Sequence, residues 1–226
     1  MFKEISGVRL EVSFCFVCGQ VKTDCACIQR KEKKMKKIIL ASGSPRRKEL
    51  LGLLGREFEV KVSHCQEVIT QTDPERVTME LARQKAEAVA ADMEEDGIVL
   101  GADTVVAAEG EILGKPADKR EAEKMISQIQ GKSHEVYTGV ALLVVEKGKI
   151  LQTKVLAEKT QVEVASMTPD EIQHYIQGKE PYDKAGGYGI QGEFARFVSR
   201  IYGDYNNVVG LPVHRVYEAL KELGEF

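Results

Sequence analysis

Two adjacent arginines stand where a helix normally carries negative charge. Residues 40–52 (LASGSPRRKELLG) pass through a Ser/Gly turn into a predicted helix, with Ser44 as N-cap and Pro45 as a favoured first residue. Arg46 and Arg47 then fall in the first turn, where the helix dipole is positive and cations are disfavoured. Backbone N–H groups and guanidinium groups together bind polyanions such as a triphosphate. The segment therefore predicts either a phosphate site or a solvated basic helix start.

A carboxylate interrupts an apolar strand further along the chain. Residues 98–107 are typical of a strand and contain Asp103. Burial of an isolated carboxylate is costly unless the group binds a metal or moves a proton. Asp103 is therefore a candidate general base toward an attacking water, a candidate Mg²⁺ ligand, or a strand-end residue that caps a turn.

Two lysines are candidate phosphate ligands. Helical spacing places Lys85 at the apolar face of a long predicted helix, where its ammonium group either meets a ligand or extends to solvent. Lys115 follows a short strand, and the next residue, Pro116, restricts the backbone.

A glycine-rich loop carries a third group of polar side chains. Asp183, Lys184 and Gln191 suit contacts to metal, phosphate and the edge of a base. Residues 187–192 match the GxGxxG pattern, but no apolar strand precedes them, so we do not expect a dinucleotide site.

The elements that must position these residues alternate between strand and helix. Apolar periodicity and turn residues predict strands over 38–41, 58–62, 98–107, 136–145 and 150–164, and helices over 45–54, 73–93 and 118–130, with two more starting at Thr168 and Pro212. A long hairpin at residues 147–148, beside βα units, predicts an α/β fold with a mixed sheet. A deep groove across such a sheet is a natural ligand site.

Composition restricts the class of protein. The 226 residues are 43% hydrophobic and 30% charged, with a net charge of −3, so we expect no nucleic-acid partner. No apolar stretch approaches the roughly 20 residues of a membrane span, and no signal peptide is evident. We therefore expect a cytoplasmic protein with no membrane association.

The first 34 residues differ from the rest. They contain four of the five cysteines, whose CxxC and CxC pairs are compatible with a zinc site: Cys15, Cys18, Cys25 and Cys27. However, Lys31-Glu32 can be encoded by a purine-rich ribosome-binding sequence just before Met35. We expect residues 1–34 to be a disordered extension or a start-site artefact, and residues 35–226 to form the domain.

Several segments jointly resemble the Maf family, nucleoside triphosphate pyrophosphatases once described as septum-formation inhibitors. The resemblance covers residues 36–222 and is carried by LASGSPRR (40–47), GADT (101–104), GKP (114–116), YTGV (137–140), EPYDKAGGYGIQG (180–192) and NVVGLP (207–212). It implies an elongated mixed β-sheet flanked by helices, with a deep central cleft, similar to inosine triphosphate pyrophosphatases. It also implies a divalent metal cofactor, Mg²⁺ or Mn²⁺, and a homodimer.

The resemblance assigns roles to individual residues. Asp103 matches the family's catalytic base, and Glu67 aligns with a carboxylate that helps to hold metal. The family's phosphate-binding set corresponds to Ser42, Arg46, Arg47, Lys85 and Lys115. The implied reaction is attack of water at the α-phosphorus, which gives a nucleoside monophosphate and pyrophosphate.

Three positions resemble the family branch that acts on dTTP and UTP: Arg46, Thr104 and Gln191. Uracil and thymine present a neutral acceptor–donor–acceptor edge that an amide matches, whereas a cationic methylated guanine favours a carboxylate. We therefore expect hydrolysis of dTTP, UTP and modified pyrimidine triphosphates. The alternatives are a purine-directed pyrophosphatase acting on 7-methyl-GTP or ITP, and a nucleotide-binding regulator of septum formation with incidental hydrolysis.

Overall fold

A computed structural model of the chain describes residues 35–226, of which residues 36–226 form one compact unit. The expectations for residues 1–34, including the zinc site, lie outside the described residues. The strands are β1 (Ile38–Leu40), β2 (Phe58–Val60), β3 (Gly97–Ala108), β4 (Glu111–Leu113), β5 (Ser133–Glu146), β6 (Lys149–Val164) and β7 (Val198–Tyr202). The helices are α1 (Pro45–Gly52), α2 (Pro74–Ala91), α3 (Lys119–Ile129), α4 (Pro169–Ile176), α5 (Tyr205–Val209) and α6 (Val213–Glu222).

The strands form one mixed sheet in the order β2-β1-β3-β5-β6-β7, with β4 paired to β3. β1 runs parallel to β2 and β3, whereas the long strand β5 runs antiparallel to both of its neighbours, β3 and β6. The predicted α/β fold with an elongated mixed sheet is therefore confirmed. Among residues 35–226, every helix is too short or too polar to cross a lipid bilayer.

Four of the five predicted helix starts are confirmed by side-chain caps, whereas α6 begins after Pro212 without one. The side chains of Ser44, Asp73 and Asp118 each accept a hydrogen bond from the backbone N–H three residues on. Thr168 and Glu171 form a reciprocal capping box at the start of α4. These side chains satisfy N–H groups that have no partner inside the helix, so a few local residues determine where each helix begins.

The structure differs from the expected elements in several bounds and in two additional elements. β5 begins at Ser133 rather than residue 136, and α1 ends at Gly52 rather than residue 54. The second strand ends at Val60 rather than residue 62, because its partner β1 ends at Leu40 and turns away into the Ser/Gly loop. β7 and α5 were not predicted. β7 is a short, mostly exposed edge strand, and α5 has only five residues, so neither carries a full hydrophobic period.

Alternate residues of the central strands pack against different helices. Ile38, Leu40 and Leu100 lie in a core with α1 and α6, whereas Ile39 and Val99 lie in a core with α2. A third core joins the far halves of β3, β5 and β6 to α3 and α4. Asp103 and Thr104 are consecutive on β3, so their side chains point to opposite faces of the sheet.

Candidate active site

A cleft of about 730 Å³ opens beside β3, on the side of this strand that pairs with β1 and β4. β1 pairs with residues 98–100 of this strand and β4 with residues 106–108, so the edge between them faces the cleft. Ten of the predicted site residues line it: Arg46, Arg47, Glu67, Lys85, Asp103, Thr104, Lys115, Asp183, Lys184 and Gln191. Ser42 is buried behind the wall, where its hydroxyl oxygen accepts a hydrogen bond from Arg47.

One ammonium group joins the two predicted metal-binding carboxylates. Lys85 Nζ forms an ion pair with Asp103 Oδ1 and lies 3.1 Å from Glu67 Oε1. The side chains of Lys85 and Asp103 are only about 16% and 15% exposed, so this ion pair is largely shielded from solvent. Because both carboxylates approach one cation, their separation suits a shared positive ligand.

Close helix packing brings Lys85 to Asp103. A Cβ atom at Gly139 would lie 2.6 Å from the backbone nitrogen of Met79, and one at Gly101 would lie 2.9 Å from that of Ala86. Gly139 is the cross-strand partner of Asp103. Glycine at these two positions therefore lets the backbone of α2 rest directly on the sheet beside the carboxylate.

The loop that carries Glu67 is held against α2 by hydrogen bonds at Val68 and Thr70. Gln84 accepts a hydrogen bond from Val68 N at 2.9 Å and donates one to Val68 O at 2.6 Å. The carboxylate of Glu80 accepts hydrogen bonds from the N–H and hydroxyl groups of Thr70, which lower the pKa of Glu80. Two side chains one helical turn apart thus hold Glu67 at the cleft.

The residues present fit a divalent cation that a substrate helps to bind. Within residues 35–226, no group of three His, Cys, Asp or Glu side chains could hold a metal without other ligands. Mg²⁺ is commonly held by one or two carboxylates together with substrate phosphates and water. Asp103 and Glu67 supply such a pair of oxygen donors, already gathered around one positive charge.

Arg47 is fixed by acceptors from three parts of the chain. Nε donates to the carbonyl of Gly210 at 2.9 Å, and the two terminal nitrogens donate to the hydroxyls of Ser42 at 3.2 Å and Thr104 at 3.1 Å. Burial lowers the pKa of Arg47, whereas the nearby charge of Asp103 opposes this change. The guanidinium group is thus held rigidly at the cleft wall.

A second ion-pair cluster lies on the glycine-rich loop. Asp183 is 2.5 Å from Lys184 Nζ and 3.6 Å from a terminal nitrogen of Arg46. Burial raises the pKa of Asp183, but the hydrogen bond and charge of Lys184, with the charge of Arg46, outweigh burial and hold the pKa below its ordinary value. Lys115 is exposed on the same cleft, and within residues 35–226 it forms no ion pair.

The sequence interpretation missed the residues that hold this loop. Glu180 accepts hydrogen bonds from the backbone N–H groups of Glu193 and Phe194 and so links the start of the loop to the residues that follow it. Tyr188, a buried residue of this loop, forms a 2.6 Å hydrogen bond with His134 of β5. Burial lowers the pKa of His134 to about 4, so its ring is neutral at pH 7.

Comparisons with known proteins agree with this architecture. The family model described as Maf-like protein matches residues 37–223. The dTTP/UTP pyrophosphatase of Agathobacter rectalis is 49% identical over 202 residues, which cover 84% of this chain and 98% of that protein. The dTTP/UTP pyrophosphatase of Bacillus anthracis is 52% identical over 189 residues, or 83% of this chain and 96% of the relative.

A solved structure supports the fold alone. The HAM1 protein of Coxiella burnetii superposes with a TM-score of 0.50 at 16% identity, covering 83% of this chain and all of that one. The family match extends over nearly all of the described domain and includes every residue assigned to the cleft. The chain therefore belongs to the Maf family.

Proposed function

We propose that this protein is a nucleoside triphosphate pyrophosphatase that hydrolyses dTTP and UTP to the monophosphate and pyrophosphate. The observation that carries the proposal is the cleft itself, in which a paired carboxylate lies among cationic side chains: Arg46, Arg47, Lys85, Lys115 and Lys184. Relatives about half identical to this chain, and matched over nearly their whole length, are named dTTP/UTP pyrophosphatases.

The cations bind and orient the triphosphate. Arg47 has five N–H donors, of which three are used within the protein, so one remains on each terminal nitrogen for phosphate oxygens. Lys115, exposed on the cleft and without an ion pair among the described residues, adds a further ammonium group. Positioned cations stabilise charge that develops on phosphate oxygens as the α-phosphorus is attacked.

Asp103 accepts the proton of the attacking water. Its carboxylate is mostly buried and paired with Lys85, which holds it in one orientation. Asp103 and Glu67 would together hold Mg²⁺ or Mn²⁺, which when bound supplies positive charge to the phosphates. The hydrogen bonds from Gln84 to the backbone beside Glu67 keep the second carboxylate in place for this purpose.

The pyrimidine base is recognised at the glycine-rich loop. Gln191 is exposed in the cleft and presents both a carbonyl and an NH₂ group, which match the alternating acceptors and donor of uracil and thymine. Arg46 and Thr104 line the same cleft, on the α1 side of the sheet.

The decisive experiment measures pyrophosphate release from a panel of nucleoside triphosphates with Mg²⁺, for the wild type and for Asp103→Asn. We expect dTTP and UTP to be the preferred substrates. Asp103→Asn should lower kcat by about 10²- to 10⁴-fold, the usual contribution of a general base, while nucleotide binding changes little. Asp170→Asn, an exposed position on α4, is the matched control and should leave kcat unchanged.

Each contrary outcome has a clear meaning. An undiminished rate in Asp103→Asn would refute Asp103 as the base. Preference for 7-methyl-GTP or ITP would indicate a purine-directed enzyme. Absence of pyrophosphate from every triphosphate would refute the proposed activity and favour a nucleotide-binding regulator.

A further inference from the structure

A chain of buried hydrogen bonds begins at Arg47 and runs into the interior of the protein. Thr104 Oγ1, which accepts from Arg47 at 3.1 Å, lies 2.9 Å from the hydroxyl oxygen of Thr138 on β5. Thr138 in turn lies 2.9 Å from the backbone carbonyl of Asn207 in α5. Thr138 and Asn207 are fully buried, and neither of them lines the cleft.

The direction of every bond in this chain is determined by chemistry. A carbonyl oxygen only accepts, so the single hydroxyl proton of Thr138 is donated to Asn207. Thr138 must therefore accept from Thr104, whose proton points inward. Thr104 is left with only lone pairs on the cleft side, one of which accepts from Arg47. It follows that Thr104 orients the guanidinium group and cannot donate to a phosphate oxygen.

The interior end of the chain is anchored to the sheet. The NH₂ group of Asn207 donates to the carbonyl of Val136 at 3.0 Å and to Thr160 Oγ1 at 2.9 Å. Thr160 Oγ1 also exchanges hydrogen bonds with the backbone of Asp204, the N-cap of α5. Two strands thus fix the position of α5.

The C-terminal end of the same helix also supplies a direct hydrogen-bond acceptor to Arg47. The N–H of Gly210, the residue that ends α5, donates to Asn206 at 3.0 Å, and its carbonyl accepts from Arg47 Nε. Its φ of 128° is a conformation that other residues rarely adopt. Asn207 therefore acts on Arg47 by two routes, through Thr138 and Thr104 and through the carbonyl of Gly210.

We propose that Thr138 and Asn207 are positioning residues for phosphate binding, because they set the orientation of Arg47 from inside the protein. The proposal rests on the proposed function in one respect, that the remaining N–H groups of Arg47 face a phosphate chain. Holding a long side chain in one orientation before the ligand arrives removes part of the entropic cost of binding. Loss of the Thr138 hydroxyl should therefore weaken phosphate binding without any direct contact being removed.

The test uses inorganic tripolyphosphate, which has no base, and measures its affinity by calorimetry in the absence of added metal. Thr138→Val keeps the size of the side chain and removes the hydroxyl group. We expect its dissociation constant for tripolyphosphate and its KM for UTP to rise about tenfold, the effect of weakening one charge-assisted hydrogen bond, with a smaller change in kcat. Thr138→Ser, which restores the hydroxyl, should stay within twofold of the wild type.

A control separates positioning from stability. Thr78→Val makes the same substitution at an equally buried threonine whose hydroxyl donates to the carbonyl of Glu75 in its own helix. It should lower the melting temperature but leave both the affinity for tripolyphosphate and the KM unchanged. If Thr138→Val does not fold, Thr138→Cys, whose thiol is only a weak hydrogen-bond donor, replaces it.

The proposal is overturned if Thr138→Val binds tripolyphosphate as the wild type does, if the serine variant is as weak as the valine variant, or if the wild type does not bind tripolyphosphate. Failure of the proposed function is a different result. In that case no nucleoside triphosphate is hydrolysed, while tripolyphosphate binds with an affinity that still depends on the Thr138 hydroxyl.

Discussion

Replacing Gly139 by alanine should separate Lys85 from Asp103, the two most closely paired charged groups of the cleft. The added methyl group would lie 2.6 Å from the backbone nitrogen of Met79, and closer still to the carbonyl of Thr78. Ordinary contacts between such atoms begin near 3.4 Å, so α2 must move away from the sheet by about 1 Å. Lys85 is carried on the same helix and would move away from Asp103 with it.

Two effects of different size follow from this displacement. Forcing a methyl group into a packed interface costs about 1–3 kcal/mol, which for a domain of this length corresponds to roughly 2–12 °C in melting temperature. A displacement of about 1 Å in a reacting group commonly costs about 10²-fold in rate. We therefore expect a folded protein with a moderately lower melting temperature and a kcat reduced by about two orders of magnitude.

The assay is initial-rate pyrophosphate release at saturating UTP and Mg²⁺, with thermal unfolding measured in parallel. Gly52→Ala is the matched control, because a Cβ atom at this exposed position at the end of α1 would meet no atom within 4 Å. It should retain wild-type kcat and stability. A Gly139→Ala protein with wild-type kcat would show that the close approach of α2 is not what places Lys85 against Asp103.

Two further predictions concern residues that hold the cleft in place. Gln84→Ala removes both hydrogen bonds to Val68, so Glu67 should be held less firmly. The Mg²⁺ concentration for half-maximal rate should therefore rise several-fold, with little change in kcat at saturating Mg²⁺. An unchanged metal titration would contradict this. His134→Gln keeps a hydrogen-bonding group for Tyr188 and removes a titration. The pKa of His134 is about 4 when folded and near 6.5 when unfolded, so the unfolded state binds the extra proton between these values. The wild type should therefore lose up to about 3 kcal/mol of unfolding free energy as the pH falls from 6.5 to 4. Denaturant titrations of the variant should show a correspondingly smaller loss. Equal losses would refute the lowered pKa of His134.

Local sequence rules were sufficient for the helix starts and the long strands. Ser44, Asp73 and Thr168 cap their helices with side-chain groups that lie within three residues of the N–H groups they satisfy. The hairpin between β5 and β6 turns at Lys147–Gly148 as expected, where both residues have positive φ. Such features depend on neighbours in the sequence, and they were therefore predictable without the fold.

The long-range contacts of the cleft were not predictable in the same way. Arg47 bonds to Thr104, 57 residues away, and to Gly210, 163 residues away, and its indirect partner Thr138 reaches the cleft only through these contacts. The edge strand β7 is short and mostly exposed, so its sequence has no clear alternation, and its pairing with β6 is decided by the rest of the sheet.

By itself, the sequence predicted an α/β framework and pointed to phosphate-binding chemistry, because two arginines at a helix start and a carboxylate within an apolar strand are costly unless they have partners. Only the tertiary structure decided how these groups work together. The approach of α2 to the glycines of β3 and β5 pairs Lys85 with Asp103, and the sheet register places Thr138 behind Thr104. Both outcomes depend on packing between segments that are remote in sequence, and residue types and local spacing do not specify such packing.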